Sequence, residues 1–90
     1  MKQEPGYFKD KEPVLVYIAK KLNDALALEG IFDAAGVDYG VEADEYHGGV
    51  VFHTVRIGAF FYVLPAAATA AREVMQRNGY TPHVEPGPPV

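Results

Sequence analysis

The pattern of apolar and polar positions divides the chain into regular elements. A continuous apolar run after Pro13, VLVYIA, predicts a strand buried on both faces. Apolar positions then recur at helical spacing from Leu22 to Ala35, and Gly36 is the expected left-handed cap of this helix. Residues 37–43 alternate between apolar and polar, which is typical of a half-exposed strand.

The second half of the chain contains the longest β-favouring run, VVFHTVRIGAFFYVLP, at residues 50–65. The preceding Tyr46-His47-Gly48-Gly49 predicts a tight hairpin turn. Gly58 is expected to divide the run into an extended arm, residues 50–57, and a core strand, residues 59–64. Residues 66–77 have high helix propensity, Gly79 is the expected cap, and residues 80–84 predict a short edge strand.

This order of elements predicts an α+β fold, the ferredoxin-like βαββαβ sandwich, in which two helices cover one face of an antiparallel sheet. The first strand is then expected beside residues 59–64 at the centre of the sheet. The predicted organisation is a flexible N-terminal arm at residues 1–12, one domain at residues 13–84, and a proline-rich tail at residues 85–90. Tyr7 and Phe8 are the only anchors of the arm, so docking and a free tail both remain open.

The second face of such a sheet needs a cover. Because a tyrosine ring prefers burial while its hydroxyl reaches water or a partner, regular alternation assigns one set of residues to this outer face. The set comprises Leu15, Tyr17, Phe60, Tyr62 and Leu64. Exposed apolar faces mark interfaces or ligand grooves, and we expect self-association as a homodimer in preference to a small-molecule groove. Cover by one of the terminal segments is the structural alternative.

Composition narrows the classes of function. A formal net charge of −4 argues against a nucleic-acid-binding domain, which would normally carry a surplus of Lys and Arg. The absence of cysteine excludes disulfides and thiolate chemistry, and it fits a reducing compartment. No apolar run approaches the roughly 20 residues that span a bilayer. The sequence therefore predicts a cytoplasmic protein with no membrane or nucleic-acid partner.

Polar side chains that could carry chemistry collect around the predicted hairpin: Asp44, Glu45, His47, His53 and Arg56. Asp44 or Glu45 opposite His53 would suit a divalent metal or an acid–base pair. The chain offers no nucleophile, oxyanion element or phosphate loop to accompany them, so we expect no cofactor, no metal and no catalytic residue. A small enzyme using His53 and a carboxylate is the least favoured interpretation.

Short motifs at the ends of the helices add a resemblance. They are Ala-Gly-Val at residues 35–37, Tyr-Val-Leu-Pro at residues 62–65 and an Ala/Arg-containing segment at residues 67–72. In these motifs the chain resembles a family of small bacterial domains described as prokaryotic signal-transducing proteins. The resemblance implies a ferredoxin-like fold related to the PII signalling proteins. The expected function is a small non-catalytic binding or regulatory domain, the alternative being a small-molecule or metal-ion sensor with a pocket at a subunit interface.

Overall fold

The computed structural model describes residues 1–48 and 54–83, which contain three strands and two α-helices. In chain order these are β1 Val14–Ala19, α1 Leu22–Ala35, β2 Gly40–Gly48, β3 Thr54–Val63 and α2 Ala68–Arg77. Two 3-10 helices, Pro5–Phe8 and Pro65–Ala67, precede β1 and α2. The predicted first strand and first helix are confirmed, and Gly36 caps α1 with a φ of 71°. Gly79, with a φ of 83°, follows α2 as predicted.

The strands form an antiparallel sheet in the order β1-β3-β2. The central position of β3 beside β1 confirms the expected pairing of residues 14–19 with residues 59–64. An α+β architecture is therefore confirmed. Residues 80–83, where an edge strand was predicted, form no strand, but the His83 N–H donates a hydrogen bond of 2.6 Å to the Val16 carbonyl. Val84 and the predicted tail at residues 85–90 lie outside the described residues.

Two local predictions in the second half of the chain are wrong. Tyr46, His47 and Gly48 belong to β2 and not to a turn, and β3 continues through Gly58 without a break. A Cβ atom on Gly58 would lie 3.1 Å from the Tyr46 ring and 3.1 Å from the Ala19 carbonyl. Gly58 therefore allows a neighbouring ring and a backbone to approach closely, which is the other common use of glycine in a strand.

Both helices pack on the face of the sheet that carries Phe61 and Val63. Alternate positions of β3 supply this face. The most deeply buried side chains of this core are Tyr39, Phe32, Phe61, Leu28, Met75, Val16 and Val63. The two helices thus form one layer and the sheet forms the other, with the apolar core between them, as an α+β sandwich requires.

The N-terminal segment, residues 1–12, packs against the start of β2. Lys2 forms a parallel bridge with Tyr39, in which the Gln3 N–H donates to the Tyr39 carbonyl at 2.7 Å. The Lys2 ammonium lies 3.3 Å from a Glu29 carboxylate oxygen on α1. Phe8 is 7% exposed, and its ring lies where a side chain of Gly40 would otherwise project. Of the two arrangements that the sequence left open, the structure contains the docked one.

Candidate functional site

The residues assigned to the outer face do not all lie there, because β1 contains a bulge. Leu15 pairs with Tyr62, whereas Tyr17 pairs with Phe61, so Val16 is an extra residue on β1. Directly paired residues share a face. The prediction is therefore wrong for Tyr17, which lies on the helix side with Phe61. Ile18, which pairs with Phe60, takes its place on the outer face.

The outer face is also less exposed than the sequence predicts. Phe60 is 9% exposed, while Leu15, Tyr62 and Leu64 are half-buried. Phe8 covers the end of the face at Gly40, where a cavity of about 250 Å³ remains between Phe8, Pro13 and Tyr62. The N-terminal segment thus supplies part of the cover. Alternation along the strands identified the face, but only the fold shows that Phe8 reaches it.

Tyr17 borders a groove on the other side of β1. Its ring meets the Tyr80 ring edge to face at a centroid distance of 5.5 Å. A cavity of about 470 Å³ beside this pair is lined by further residues: Ile18, Lys20, Lys21, Asp24, Gly79 and Thr81. Burial, followed by the negative charge of Asp24, raises the pKa of the Tyr17 hydroxyl. The groove therefore offers an aromatic wall and ammonium groups next to a tyrosine that stays protonated near neutral pH.

The polar residues of the predicted hairpin site are not brought together as expected. Asp44 lies opposite Gly58 and Glu45 opposite Ile57, so neither comes opposite His53. The physical reason is that β2 runs on through residue 48 and moves the chain reversal further along. Asp44 and Glu45 also occupy successive strand positions, which places their side chains on opposite faces.

The remaining members of that set are placed only in part. Arg56 is exposed and pairs with Tyr46. The backbone of His47 lies opposite Val55, whereas the His47 side chain and the whole of His53 fall outside the described part of the chain. Among described residues, no group of three or more His, Asp or Glu side chains could hold a metal ion.

The most exposed apolar side chains of the sheet lie where β2 and β3 extend beyond β1. The last β1 pair is Ala19 with Ala59, but β2 and β3 continue for five more pairs, from Asp44 with Gly58 to Gly48 with Thr54. We call this two-stranded extension, residues 44–48 and 54–58, the hairpin arm. Val55 and Ile57 project from one of its faces and are 50% and 71% exposed.

The other face of the hairpin arm is packed at its base. The Tyr46 ring lies across Gly58, and the Lys20 ammonium lies 5.4 Å from the centroid of the same ring. An aromatic ring over a glycine on the neighbouring strand is a recognised device for stabilising such a position. The arm is thus anchored on one face, while the other face carries the exposed Val55 and Ile57 together with Glu45, which pairs with Ile57. Sequence reasoning marked residues 50–57 as an arm, but it did not single out Val55 and Ile57, although their period-two spacing was a usable signal.

Comparisons of this chain with protein-family models, with curated proteins and with solved structures found no match. The described helices include none that is long and apolar enough to cross a membrane. Inferences about function therefore depend on the surfaces described above.

Proposed function

We propose that this chain is a small non-catalytic binding domain that associates with a second copy of itself through the hairpin arm. The observation that carries the proposal is the exposed pair Val55 and Ile57 on a ribbon that no third strand joins within the described residues. An isolated two-stranded ribbon is at best marginally stable in water, so packing Val55 and Ile57 against a partner would stabilise it. A second copy presents the same face, and symmetric dimers are the commonest oligomers.

The size of this apolar surface sets the expected strength. Fully burying one such side chain contributes about 1.5–3 kcal/mol. Scaled by the exposed fractions of Val55 and Ile57, the four side chains of a symmetric pair supply roughly 4–7 kcal/mol. This gross gain falls short of the roughly 8 kcal/mol of a micromolar complex even before the loss of translational and rotational freedom on association is subtracted. The dimer is therefore expected to be weak and to dissociate on dilution.

Analytical ultracentrifugation up to several hundred micromolar tests this proposal. The unmodified protein is expected to show a mass that rises with concentration towards two chains. Ile57→Lys, which places an ammonium in the centre of the contact, is expected to lose the rise in mass that the hairpin arm causes. Leu26→Lys is the matched control, because Leu26 is also an exposed apolar residue, 56% accessible, but lies on α1. A monomeric unmodified protein at the highest concentration, or a mass that Ile57→Lys does not lower, would contradict association through the hairpin arm.

The proposal includes the full ferredoxin-like βαββαβ topology, with a fourth strand beside β1, and a relation to the signal-transducing domains that the helix motifs resemble. Two observations support the topology. Among the described strands, the order β1-β3-β2 leaves one edge of β1 without a strand partner, and the His83 N–H donates to the Val16 carbonyl on that edge. We also propose a cytoplasmic location, on the ground that the chain lacks cysteine.

A second candidate function is a small-molecule sensor, and the groove beside Tyr17 favours it. Its volume is within the usual range of ligand sites, and it combines the Tyr17–Tyr80 ring pair with Lys20 and Lys21. These groups suit a planar ligand that carries an anionic substituent.

Thermal-shift measurements with nucleotides, amino acids and divalent metal ions test the sensor function, since a ligand of the folded state raises the melting temperature. A shift that the double variant Lys20→Ala/Lys21→Ala abolishes would support the groove. Lys9→Ala/Lys11→Ala is the matched control, because it removes the same charge elsewhere. If no compound shifts the melting temperature, or if the shift survives in the groove variant, this function is rejected.

A further inference from the structure

The N-terminal segment is connected to β1 by a turn that does not suit its sequence. The chain reverses at residues 8–11, where the Lys11 N–H donates to the Phe8 carbonyl at 3.1 Å. Lys9 has φ −58° and ψ 130°, and Asp10 has φ 69°. These angles are those of a type II turn, whose third position normally takes glycine because φ is positive there. Asp10 occupies that position; aspartate tolerates a positive φ better than most residues but less well than glycine, so the closed turn carries some strain.

A second strained residue follows directly. Glu12 has a φ of 49°, although it precedes Pro13. Residues before proline are pushed towards extended backbone with negative φ, and a glutamate pays the usual steric cost of the left-handed region. The connection at residues 9–12 thus holds two unfavourable conformations within four residues.

The contacts on either side of this connection are favourable and do not depend on which copy supplies the segment. Residues 1–8 bridge to Tyr39, pair Lys2 with Glu29 and place Phe8 on Gly40. If the segment of a second copy took the same position, all these contacts would be kept. Only the connection would change, from a closed turn to an extended hinge.

We propose that residues 1–8 are exchanged between two copies of the chain, each covering the outer sheet face of the other. A short strained hinge beside a well-packed terminal segment is the arrangement that favours such exchange. Extension of residues 9–12 provides a reach of about 13 Å. The exchange goes beyond the proposed function and uses a different contact, since Gly40 and the hairpin arm lie at opposite ends of β2.

Two substitutions at one residue shift the exchange in opposite directions. Asp10→Gly relieves the strain of the closed turn and is expected to disfavour exchange. Asp10→Pro forbids a φ near 69°, but it accepts the extended hinge and follows a residue whose ψ of 130° already suits proline. Both are made in the Ile57→Lys background, so that the hairpin arm contributes no association. Ultracentrifugation is expected to show dimeric Asp10→Pro and monomeric Asp10→Gly protein.

Crosslinking locates the segment directly, because the chain contains no cysteine of its own. The Gln3 side-chain amide donates to the Asp38 carboxylate at 3.2 Å, so cysteines at these two positions are neighbours when the segment is docked. Full-length Gln3→Cys and Asp38→Cys proteins, both in the Ile57→Lys background, are mixed with a short bismaleimide. Exchange is expected to give a two-chain product in the mixture well above that of either protein alone, and Asp10→Gly is expected to slow its formation at least tenfold.

The results separate this inference from the proposed function. A two-chain product no more abundant than that of either protein alone, or a rate that Asp10→Gly leaves unchanged, overturns the exchange and leaves association through the hairpin arm intact. A mass that Ile57→Lys does not lower, combined with a clear mixed product, overturns association through the hairpin arm and leaves the exchange intact. If Asp10→Pro fails to fold, as judged by circular dichroism, the crosslinking rates of the parent and Asp10→Gly proteins decide.

Discussion

Tyr39 is the residue at which the aromatic core meets the charged surface. Its side chain is fully buried, and its ring stacks on Phe61 at a centroid distance of 6.0 Å. Its hydroxyl lies 3.2 Å from an Asp33 oxygen and 3.4 Å from a Glu29 oxygen. Burial, and then the charges of Asp33 and Glu29, raise the pKa of the Tyr39 hydroxyl. The fold therefore requires this tyrosine to remain neutral.

A stability measurement against pH tests that requirement. A raised pKa in the folded state means that the stabilisation is complete below the ordinary pKa of tyrosine, about 10, and is lost as the pH rises above it. Urea unfolding is expected to show a steep fall in stability above pH 10. Tyr39→Phe is expected to cost about 0.5–1.5 kcal/mol at pH 7 through its lost hydrogen bonds and to flatten the alkaline fall.

Tyr17→Phe is the comparison for this experiment. The pKa of Tyr17 is also raised, but its side chain is half-buried and forms part of the groove wall. Tyr17→Phe is therefore expected to reduce the loss of stability above pH 10 by less than Tyr39→Phe does. An alkaline fall that persists undiminished in Tyr39→Phe would show that other groups cause it.

At the scale of elements, the docking of the N-terminal segment on β2 depends on a glycine. A Cβ atom at Gly40 would lie 2.5 Å and 2.9 Å from two atoms of the Phe8 ring. Gly40→Ala must therefore displace the ring, and we expect a loss of about 1–3 kcal/mol in the free energy of unfolding. In a Phe8→Ala background the same change is expected to cost little, which a double-mutant cycle measures.

Gly30→Ala provides the matched control for Gly40→Ala. Gly30 lies within α1, and nothing approaches its missing side chain within 4 Å. The substitution is expected to stabilise the protein by about 0.5–1 kcal/mol through helix propensity alone. Equal costs of Gly40→Ala with and without Phe8 would show that the ring does not depend on this glycine.

The same elements show what a sequence can and cannot reveal. The bounds of α1 were predictable because the helical period and Gly36 are local signals. The bulge at Val16 was not, since it is visible only as a mismatch between β1 and the paired part of β3, about 45 residues further along the chain. That single extra residue exchanged the faces of Tyr17 and Ile18. The turn predicted at Gly48 and the break predicted at Gly58 were wrong for a related reason: a glycine occurs both in turns and where neighbouring groups pack closely, and the local sequence does not distinguish the two.

At the scale of the whole molecule, the order of layers was predictable and the location of exposed apolar surface was not. The continuous apolar runs of β1 and β3 correctly showed that these strands need cover on both faces. It did not show that Phe8, from a segment rich in charge, would supply part of that cover. The candidate surface therefore moved from the sheet face to the hairpin arm, where Val55 and Ile57 remain accessible.

The free edge of β2 has a consequence for how copies of this chain can meet. Glu42, Asp44 and Glu45 are all exposed on this strand, and among described residues only the bridge at Tyr39 pairs with its outer side. An open edge is a template for strand-by-strand polymerisation, and charged side chains are a common protection against it. Two such acidic edges repel each other. Association through Val55 and Ile57 of the hairpin arm can thus stop at two chains, while the acidic side chains of β2 oppose the growth of fibres by strand pairing along the sheet.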